Sequence, residues 1–384
     1  MPFPPEAMIL IVADLATKDL LSCALASRSF LPLARETLYR EISLTYLDAV
    51  KDGSGAMSTS HTFDQNVIQP AKQVHLVQSV TRHSHLADLV RSIVLTFDNA
   101  EYSAAVSTEL TLRLLLQTCR RVESITFSRC DSSESDAVCG VVAALRPELR
   151  KFGPVHLAGS FTSKVMDSQS HIEELSVLVS TKLSDGPEKV PDALRVRLAR
   201  LKVLRIDGKE IHPVTFSRLV AKSRESITSL RLILRLGSIH VPDLSVLPAL
   251  ETLSLDLVRA SPHDFFDTVE PLCAAISRCR SIKRLRIGID STGYDVSSDP
   301  RYDAVLASLL AALTSSPILV AIRDRGNTIP LKSITSYISK DASPSLREIW
   351  VSADERGSRR PAALAFIAAC KAKGIVARNR DWRR

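Results

Sequence analysis

From about residue 74 to the C-terminal region, short stretches with an apolar residue at every second position alternate with longer stretches in which apolar residues recur every three to four positions. The first spacing is that of a strand with one buried face, the second that of a helix with an apolar stripe. The clearest strands share one frame: Leu201-Lys-Val-Leu204-Arg-Ile206, Ile227-Thr-Ser-Leu230-Arg-Leu232, Leu250-Glu-Thr-Leu253-Ser-Leu255 and Ile282-Lys-Arg-Leu285-Arg-Ile287. Further strand cores are Ile93-Val94-Leu95, Ile125-Thr126-Phe127, Leu175-Ser176-Val177 and Ile349-Trp350-Val351, with Val155-His156-Leu157 and Ile318-Leu319-Val320 poorer matches. Residues Glu109 to Cys119, Phe265 to Cys279, Tyr302 to Leu313 and Pro361 to Lys371 read as helices; in the second, Phe265, Val269, Leu272, Ala275 and Ile276 share a face. Alternating strands and helices predict a parallel sheet backed by helices.

Measured from Leu175, the frame returns at Leu204, Leu230, Leu253 and Leu285, in steps of 29, 26, 23 and 32 residues. Frame and period resemble the leucine-rich repeat, whose units run about 20 to 29 residues. The resemblance implies strands that stack side by side with alternate residues pointing into the stack. The intervening positions, here Lys202, Arg205, Arg231, Glu251, Lys283, Arg284 and Arg286, then face outward, and most are basic. No Asn recurs at the turns, so the array is irregular. Residues 180–192 and 291–300 read as Ser/Asp/Pro-rich insertions, and residues 51–64 as a turn-rich loop.

Before that loop the pattern is helical throughout. Met8, Ile11, Val12 and Leu15 share one face, with Pro5 in the tolerant first turn. Thr17 caps a second helix with Asp19 near its positive end and Leu21, Ala24 and Leu25 on its inner face; a third, from Ser29, carries Phe30, Leu33, Ala34 and Leu38. A unit of about 40 residues lies at the lower limit for independent stability, so these helices need something to pack on.

The segment Phe3-Pro4-Pro5-Glu6-Ala7-Met8, then Ile11-Val12, Leu15, Asp19-Leu20-Leu21, Ala24-Leu25-Ala26-Ser27-Arg28-Ser29-Phe30 and Leu33-Ala34 resembles an F-box, in particular the expanded families of fungi. Phe3, Ala7 and Ala26 stand where the family has Leu, a larger aliphatic and Val. The resemblance implies that Pro4, Met8, Ile11, Leu15, Leu20, Leu21 and Phe30 dock a Skp-type adaptor, and through it a cullin. The expected architecture is α/β: a short three-helix F-box-like module at 1–46, a linker at 47–73, an irregular leucine-rich-repeat solenoid at 74–374 with parallel strands on its concave face and helices on its convex face, and a basic tail at 375–384.

Composition fits an aliphatic stack: 45% of the 384 residues are hydrophobic but only 5% are aromatic. No apolar stretch reaches the ~18 residues of a membrane span, and Glu6 and Asp14 flank the first apolar run, so the expectation is an intracellular protein, cytoplasmic or nuclear, with no membrane contact. Seven scattered cysteines predict small buried hydrophobes rather than disulfides. The net charge of +8 owes much to Arg356, Arg359, Arg360, Lys371, Lys373, Arg378, Arg380, Arg383 and Arg384, opposed after Glu355 only by Asp381.

Neither a phosphate-cradling Gly-rich loop, a Cys-x-x-Cys, a His-Glu-x-x-His nor a Gly-x-Ser-x-Gly elbow occurs, and His83-x-His85 has no third ligand beside it in sequence. The expectation is therefore a non-enzyme without cofactor or metal: a substrate receptor of a Skp–cullin–F-box ubiquitin ligase whose repeat face holds an unidentified target protein. Two alternatives stay open. One is a leucine-rich scaffold whose N-terminal helices merely cap the stack. The other is a nucleic-acid binder using Lys202, Arg205, Arg231, Lys283, Arg284 and Arg286 with the basic tail.

Overall fold

The structure is a computed structural model. It describes residues 15, 17–26, 28, 30–47, 70–98, 103–128, 130, 132–157, 162–179, 198–208, 213–235, 241–258, 262–290, 300–313, 317–324, 331–351 and 361–378. The first N-terminal helix except Leu15, the loop at 51–64, the insertions at 180–192 and 291–299 and the last six residues of the basic tail lie outside these.

Twelve strands occur among the described residues: β1 Glu41–Leu47, β2 Ser92–Asp98, β3 Ser124–Ser128, β4 Lys151–His156, β5 Glu174–Val179, β6 Val203–Gly208, β7 Ser229–Arg235, β8 Thr252–Val258, β9 Arg284–Asp290, β10 Leu319–Asp324, β11 Glu348–Val351 and β12 Val376–Arg378. The chain divides into two compact units, residues 1–155 with 159–172, and residues 156–158 with 173–384. In the first, β1 to β4 lie in chain order and pair in parallel. In the second, β5 to β12 do the same. Parallel neighbours need a crossover, and helices supply most of them, among them Ser103–Thr118, Ser132–Leu145, Pro213–Val220, Pro262–Ser277, Pro300–Ala311, Leu331–Lys340 and Pro361–Ala372. A short 3₁₀ turn, Leu244–Val246, suffices between β7 and β8, where the repeat is shortest.

The register shows why the frame repeats. In the second unit Leu204, Leu230, Leu253, Leu285, Val320 and Ile349 are Cα partners from strand to strand, and so are Ile206, Leu232, Leu255, Ile287, Ile322 and Val351. Every one of them is buried. The first unit builds the same columns from Ile42, Ile93, Ile125 and Phe152, and from Leu44, Leu95 and Phe127, with Phe127 and Phe152 meeting edge to face at 5.8 Å between ring centroids. Each fully buried side chain of this kind contributes roughly 1.5–3 kcal/mol. A third buried column precedes the strands: Val90, Val122, Leu149, Ile172, Leu201, Ile227, Leu250, Ile282 and Leu346 occupy the first frame position. The frame recognised in four repeats thus runs through both units, and the leucine-rich-repeat architecture is what the chain adopts.

A serine does part of the work that the missing turn asparagines leave undone. Ser226, Ser281 and Ser345 each stand immediately before the first frame position, and their hydroxyls donate to the carbonyls of Leu201 (2.8 Å), Leu250 (2.8 Å) and Pro317 (3.3 Å), the first frame position of the preceding repeat. These rungs satisfy backbone acceptors where one repeat turns into the next.

Three boundaries differ from expectation. The sheet starts inside the segment read as a helical module, because Glu41–Leu47 pairs in parallel with β2 along its whole length. The following helix, Pro70–Arg82, begins before Val74. At the other end Val376–Arg378 pairs with β11 and extends the sheet beyond residue 374. The reason in each case is a partner supplied by the neighbouring repeat, which a local pattern of three to seven residues cannot reveal.

Candidate interaction surfaces

Two surfaces bear on function: the N-terminal helices and the outward face of the strands. Helix Thr17–Ala26 packs against helix Leu31–Arg40, with Leu20 and Ala34 buried. The inner face expected for the first of these is corrected. Leu21 is 52% exposed and Leu25 90% exposed, and Leu20 turns inward instead. Positions 21 and 25 lie one turn apart and so share a face, while position 20 is rotated by about 100° from position 21. Of the residues expected to dock an adaptor, Leu15 and Phe30 are half-buried, Leu20 is buried and Leu21 is exposed. Pro4, Met8 and Ile11 lie outside the described residues. Leu20 therefore holds the helix pair together, and Leu21 with Leu25 forms the apolar surface.

On the strands, the outward positions follow from the buried columns. In the second unit the row on the face opposite the columns runs Ser176, Arg205, Arg231, Ser254, Arg286, Ala321, Trp350 and Arg378, each the Cα partner of the next, with Ala321 buried. It carries four guanidinium groups and an indole, and no carboxylate. The carboxylates stand in the rows beside it. Asp256 accepts from Arg231 Nε at 2.7 Å and Nη2 at 2.6 Å, and Glu348 pairs with Arg378. Asp256 is the register partner of Gly288, and a Cβ at residue 288 would collide with its Oδ1. The bare glycine makes the room that the carboxylate uses.

Just before the strands a second charged row alternates in sign. Glu173 pairs with Lys202 at 3.0 Å, and Lys283 pairs with Glu251. In the first unit Glu123 faces Arg150 at 3.9 Å. These pairs are exposed, which caps their value at roughly 1 kcal/mol each, and they serve register more than stability.

The basic positions read outward from the sequence, Lys202, Arg205, Arg231, Lys283, Arg284 and Arg286, all reach the surface or its margin. What the strand frame could not supply is Trp350 and Arg378. Their place in the row depends on the pairing of β10, β11 and β12, whose spacings differ.

Elsewhere the chemistry is muted. Burial, reinforced by Asp88, pushes the Cys119 thiol up to about 11; burial and Asp243 do the same for Cys279, and burial alone for Cys370. Cys139 is pushed up to about 12 by burial, against a contact to the Thr162 hydroxyl at 4.0 Å that pulls the other way. A thiol that resists ionisation is a poor nucleophile, so these four act as core atoms. His83 and His85 are both exposed, with rings 5.8 Å apart, and His83 Nδ1 lies 2.8 Å from the Ser79 carbonyl oxygen. Among the described residues no three His, Cys, Asp or Glu side chains gather in a group able to hold a metal ion, and no helix is long and apolar enough to cross a membrane.

No protein-family model matches the chain, and no curated protein matches it. Solved structures similar to it include the leucine-rich repeat-containing protein LegL7 from Legionella pneumophila, at TM-score 0.45 and 14% identity over 87% of this chain and 89% of that one. Another is a protein from Bacteroides fragilis, at TM-score 0.38 and 11% identity over 81% of this chain and 72% of that one. The repeat architecture of the chain stands on its own strand order and buried columns.

Proposed function

We propose that the chain is a non-catalytic protein-interaction scaffold that serves as the substrate receptor of a Skp–cullin–F-box type ubiquitin ligase. In this reading the N-terminal helices dock a Skp-type adaptor, and the outward strand face of the repeats holds a target protein. A receptor of this kind contributes proximity, and other subunits carry the chemistry.

The observation that carries the proposal is the apolar pair Leu21 and Leu25, 52% and 90% exposed on a helix whose sequence, Asp19-Leu20-Leu21, follows the F-box pattern. Two leucines one turn apart on a solvent-facing helix are costly to leave uncovered and are well suited to a partner's groove. The test mixes the full chain, and a Leu21→Asp/Leu25→Asp variant, with a Skp-type adaptor and follows co-elution on a sizing column. The expected result is a complex with the parent chain and at least a tenfold weaker one with the variant, whose circular dichroism and melting stay unchanged. A parent chain that elutes apart from the adaptor removes the ligase role and leaves the scaffold.

One observation favours a second reading. Helix Leu31–Arg40 runs directly into β1, and Leu20 and Ala34 are buried, as in helices that cap the end of a repeat array. Deleting residues 1–30 separates the two. Loss of a cap lowers the melting temperature of what remains, whereas loss of a docking helix leaves it in place and abolishes only adaptor binding.

A further inference from the structure

We infer that the last repeat of the second unit is an interface for a second copy of this chain, in which helix Pro361–Ala372 and strand β12 meet their own counterparts across a two-fold axis. The inference goes beyond the receptor reading and does not depend on it.

The argument begins with a pattern that recurs on the helices. Leu112, Leu115, Leu116 and Cys119 have the same spacing as Leu272, Ala275, Ile276 and Cys279, and as Ala363, Phe366, Ile367 and Cys370. At this spacing the four side chains share one helical face. The first two sets are buried throughout, with Leu116 at 8% and Ile276 at 0% exposure in the third position. Each of those helices has the helix of a following repeat packed on it, Ser132–Leu145 in the first case and Pro300–Ala311 in the second. In the last set Ala363, Phe366 and Cys370 are buried, and their helix packs on Leu331–Lys340 and on β12. Ile367, in the third position, is 50% exposed. It is a core position of the repeat whose cover is missing.

The surroundings of Ile367 continue the pattern. Leu364 lies three residues before it and Lys371 four residues after it, so the three share a flank, and Leu364 is exposed. β12 pairs with β11 along one edge, and among the described residues no strand lies along the other. Its Val376 is exposed as well. Of the five large apolar side chains exposed in the described part of the second unit, three therefore belong to the last repeat. End repeats of a solenoid ordinarily turn a polar face outward, because an apolar one associates.

A second copy supplies the missing cover from the same elements. A two-fold axis normal to the sheet sets β12 antiparallel to its counterpart and the two helices antiparallel beside each other, so both layers continue. With the helix pair centred near Ile367, the two isoleucines meet and each Leu364 lies over the aliphatic stem of Lys371 of the other copy. Arg378 is engaged by Glu348, which leaves Lys371 and Lys373 as the exposed cations of this repeat. The two Lys371 groups then stand about seven residues of rise apart, or about 10 Å, a distance that physiological salt screens. The lysines alone call for an acidic partner; Ile367, Leu364 and Val376 call for another repeat. Size sets the strength. A helix of 12 residues is about 18 Å long and the helix and strand layers together are about 20 Å deep, so the two ends bury on the order of 700 Å² in total. Stable complexes bury roughly 1,200 Å² or more, so the pair is weak, with a dissociation constant on the order of tens of micromolar.

The test is sedimentation velocity on the full chain from about 1 to about 100 µM. The expected result is a shift from the mass of one chain to that of two as concentration rises, made stronger when salt is raised from about 0.05 to about 0.5 M, because the charges that face each other are alike. A Leu364→Asp/Ile367→Asp variant is expected to pair at least tenfold more weakly with its circular dichroism unchanged. Should that variant lose its fold, Leu364→Lys alone, at an exposed position, is expected to weaken pairing threefold or more. Ile367→Cys, oxidised at high concentration, is expected to give a disulfide between the two residues 367, identified by mass spectrometry. A folded parent that stays a single chain at about 100 µM overturns the inference and leaves the end to a partner of different sequence. Pairing that is unchanged in the folded variants, or weakened by salt, overturns it too. So does loss of pairing in the Leu21→Asp/Leu25→Asp variant with the Leu364 and Ile367 variants unaffected, which moves the interface to the N-terminal helices. Adaptor co-elution, measured on the same samples, is expected to be unchanged in the Leu364 and Ile367 variants. Pairing without adaptor binding leaves the inference standing and removes the ligase role.

Discussion

The outward faces of the two units are built on one backbone plan and could hardly differ more in chemistry. In the first unit the outward positions of β1 to β3 include Glu41, Ser43, Thr45, Ser92, Val94, Thr96, Ser124, Thr126 and Ser128, mostly hydroxyls with one carboxylate at the start. Ser128 and Thr96 lie 3.5 Å apart across neighbouring strands. In the second unit the equivalent positions hold Arg205, Arg231, Asp256, Arg286, Trp350 and Arg378. The inward columns beneath are aliphatic in both. In a stack of this kind folding is specified by every second residue, which leaves the other half free to be selected for something else. The hydroxyl face carries its charges, Glu41 and Lys151, only at the start of its strands, whereas the arginine face carries them along its length.

That contrast can be broken from the inside. Leu95→Ala in the first unit and Leu255→Ala in the second remove the same buried side chain from equivalent columns, and each is expected to cost about 2–5 kcal/mol in urea unfolding. Similar losses in both units would place stability in the shared columns. A loss confined to one would show that the columns are not equivalent. A smaller effect sharpens the outward half of the contrast. Gly288→Ala pushes a methyl group into the Asp256 carboxylate, so the Arg231 pair must shift. The expected cost is about 1–3 kcal/mol, the range for overpacking, whereas Thr126→Ala on the hydroxyl face is expected to stay within about 0.5 kcal/mol. The smallest effect concerns the rungs. Ser281→Ala leaves the Leu250 carbonyl without its hydroxyl donor and is expected to lower stability by about 1 kcal/mol.

How much of this could be read from the sequence differs by level. Inward columns were legible because they recur: Leu201, Ile227, Leu250 and Ile282 announce the frame, and the structure extends it to Val90 and Leu346. β1 was hidden because Ile42 and Leu44 follow a helix without a break, and their alternation is too short to be told from a helix end. The serine rungs were hidden because serine before an apolar residue is common, and only the carbonyl of the previous repeat gives Ser226, Ser281 and Ser345 a shared role. The F-box resemblance runs from Phe3 to Ala34; its opening part, up to Val12, lies outside the described residues, and the remainder falls on or beside the two helices Thr17–Ala26 and Leu31–Arg40. Choosing which side of a ten-residue helix is buried from Leu21 and Leu25 alone puts the wrong one inward. The arginine row is the clearest case of information that no single repeat holds. Each arginine is visible as an outward position, but their alignment with Trp350 depends on the register of strands joined by crossovers of unequal length.

The strand order of the second unit, in which each strand bonds only to its neighbours in sequence, has a mechanical consequence. No contact in the sheet bridges distant parts of the chain, so tension applied to one end is borne by the outermost repeat alone. That repeat yields before the load reaches the next. An engine that grips such a molecule by a terminus meets a sequence of small barriers instead of one large one, and the protein is easy to dismantle from its ends while its middle stays folded.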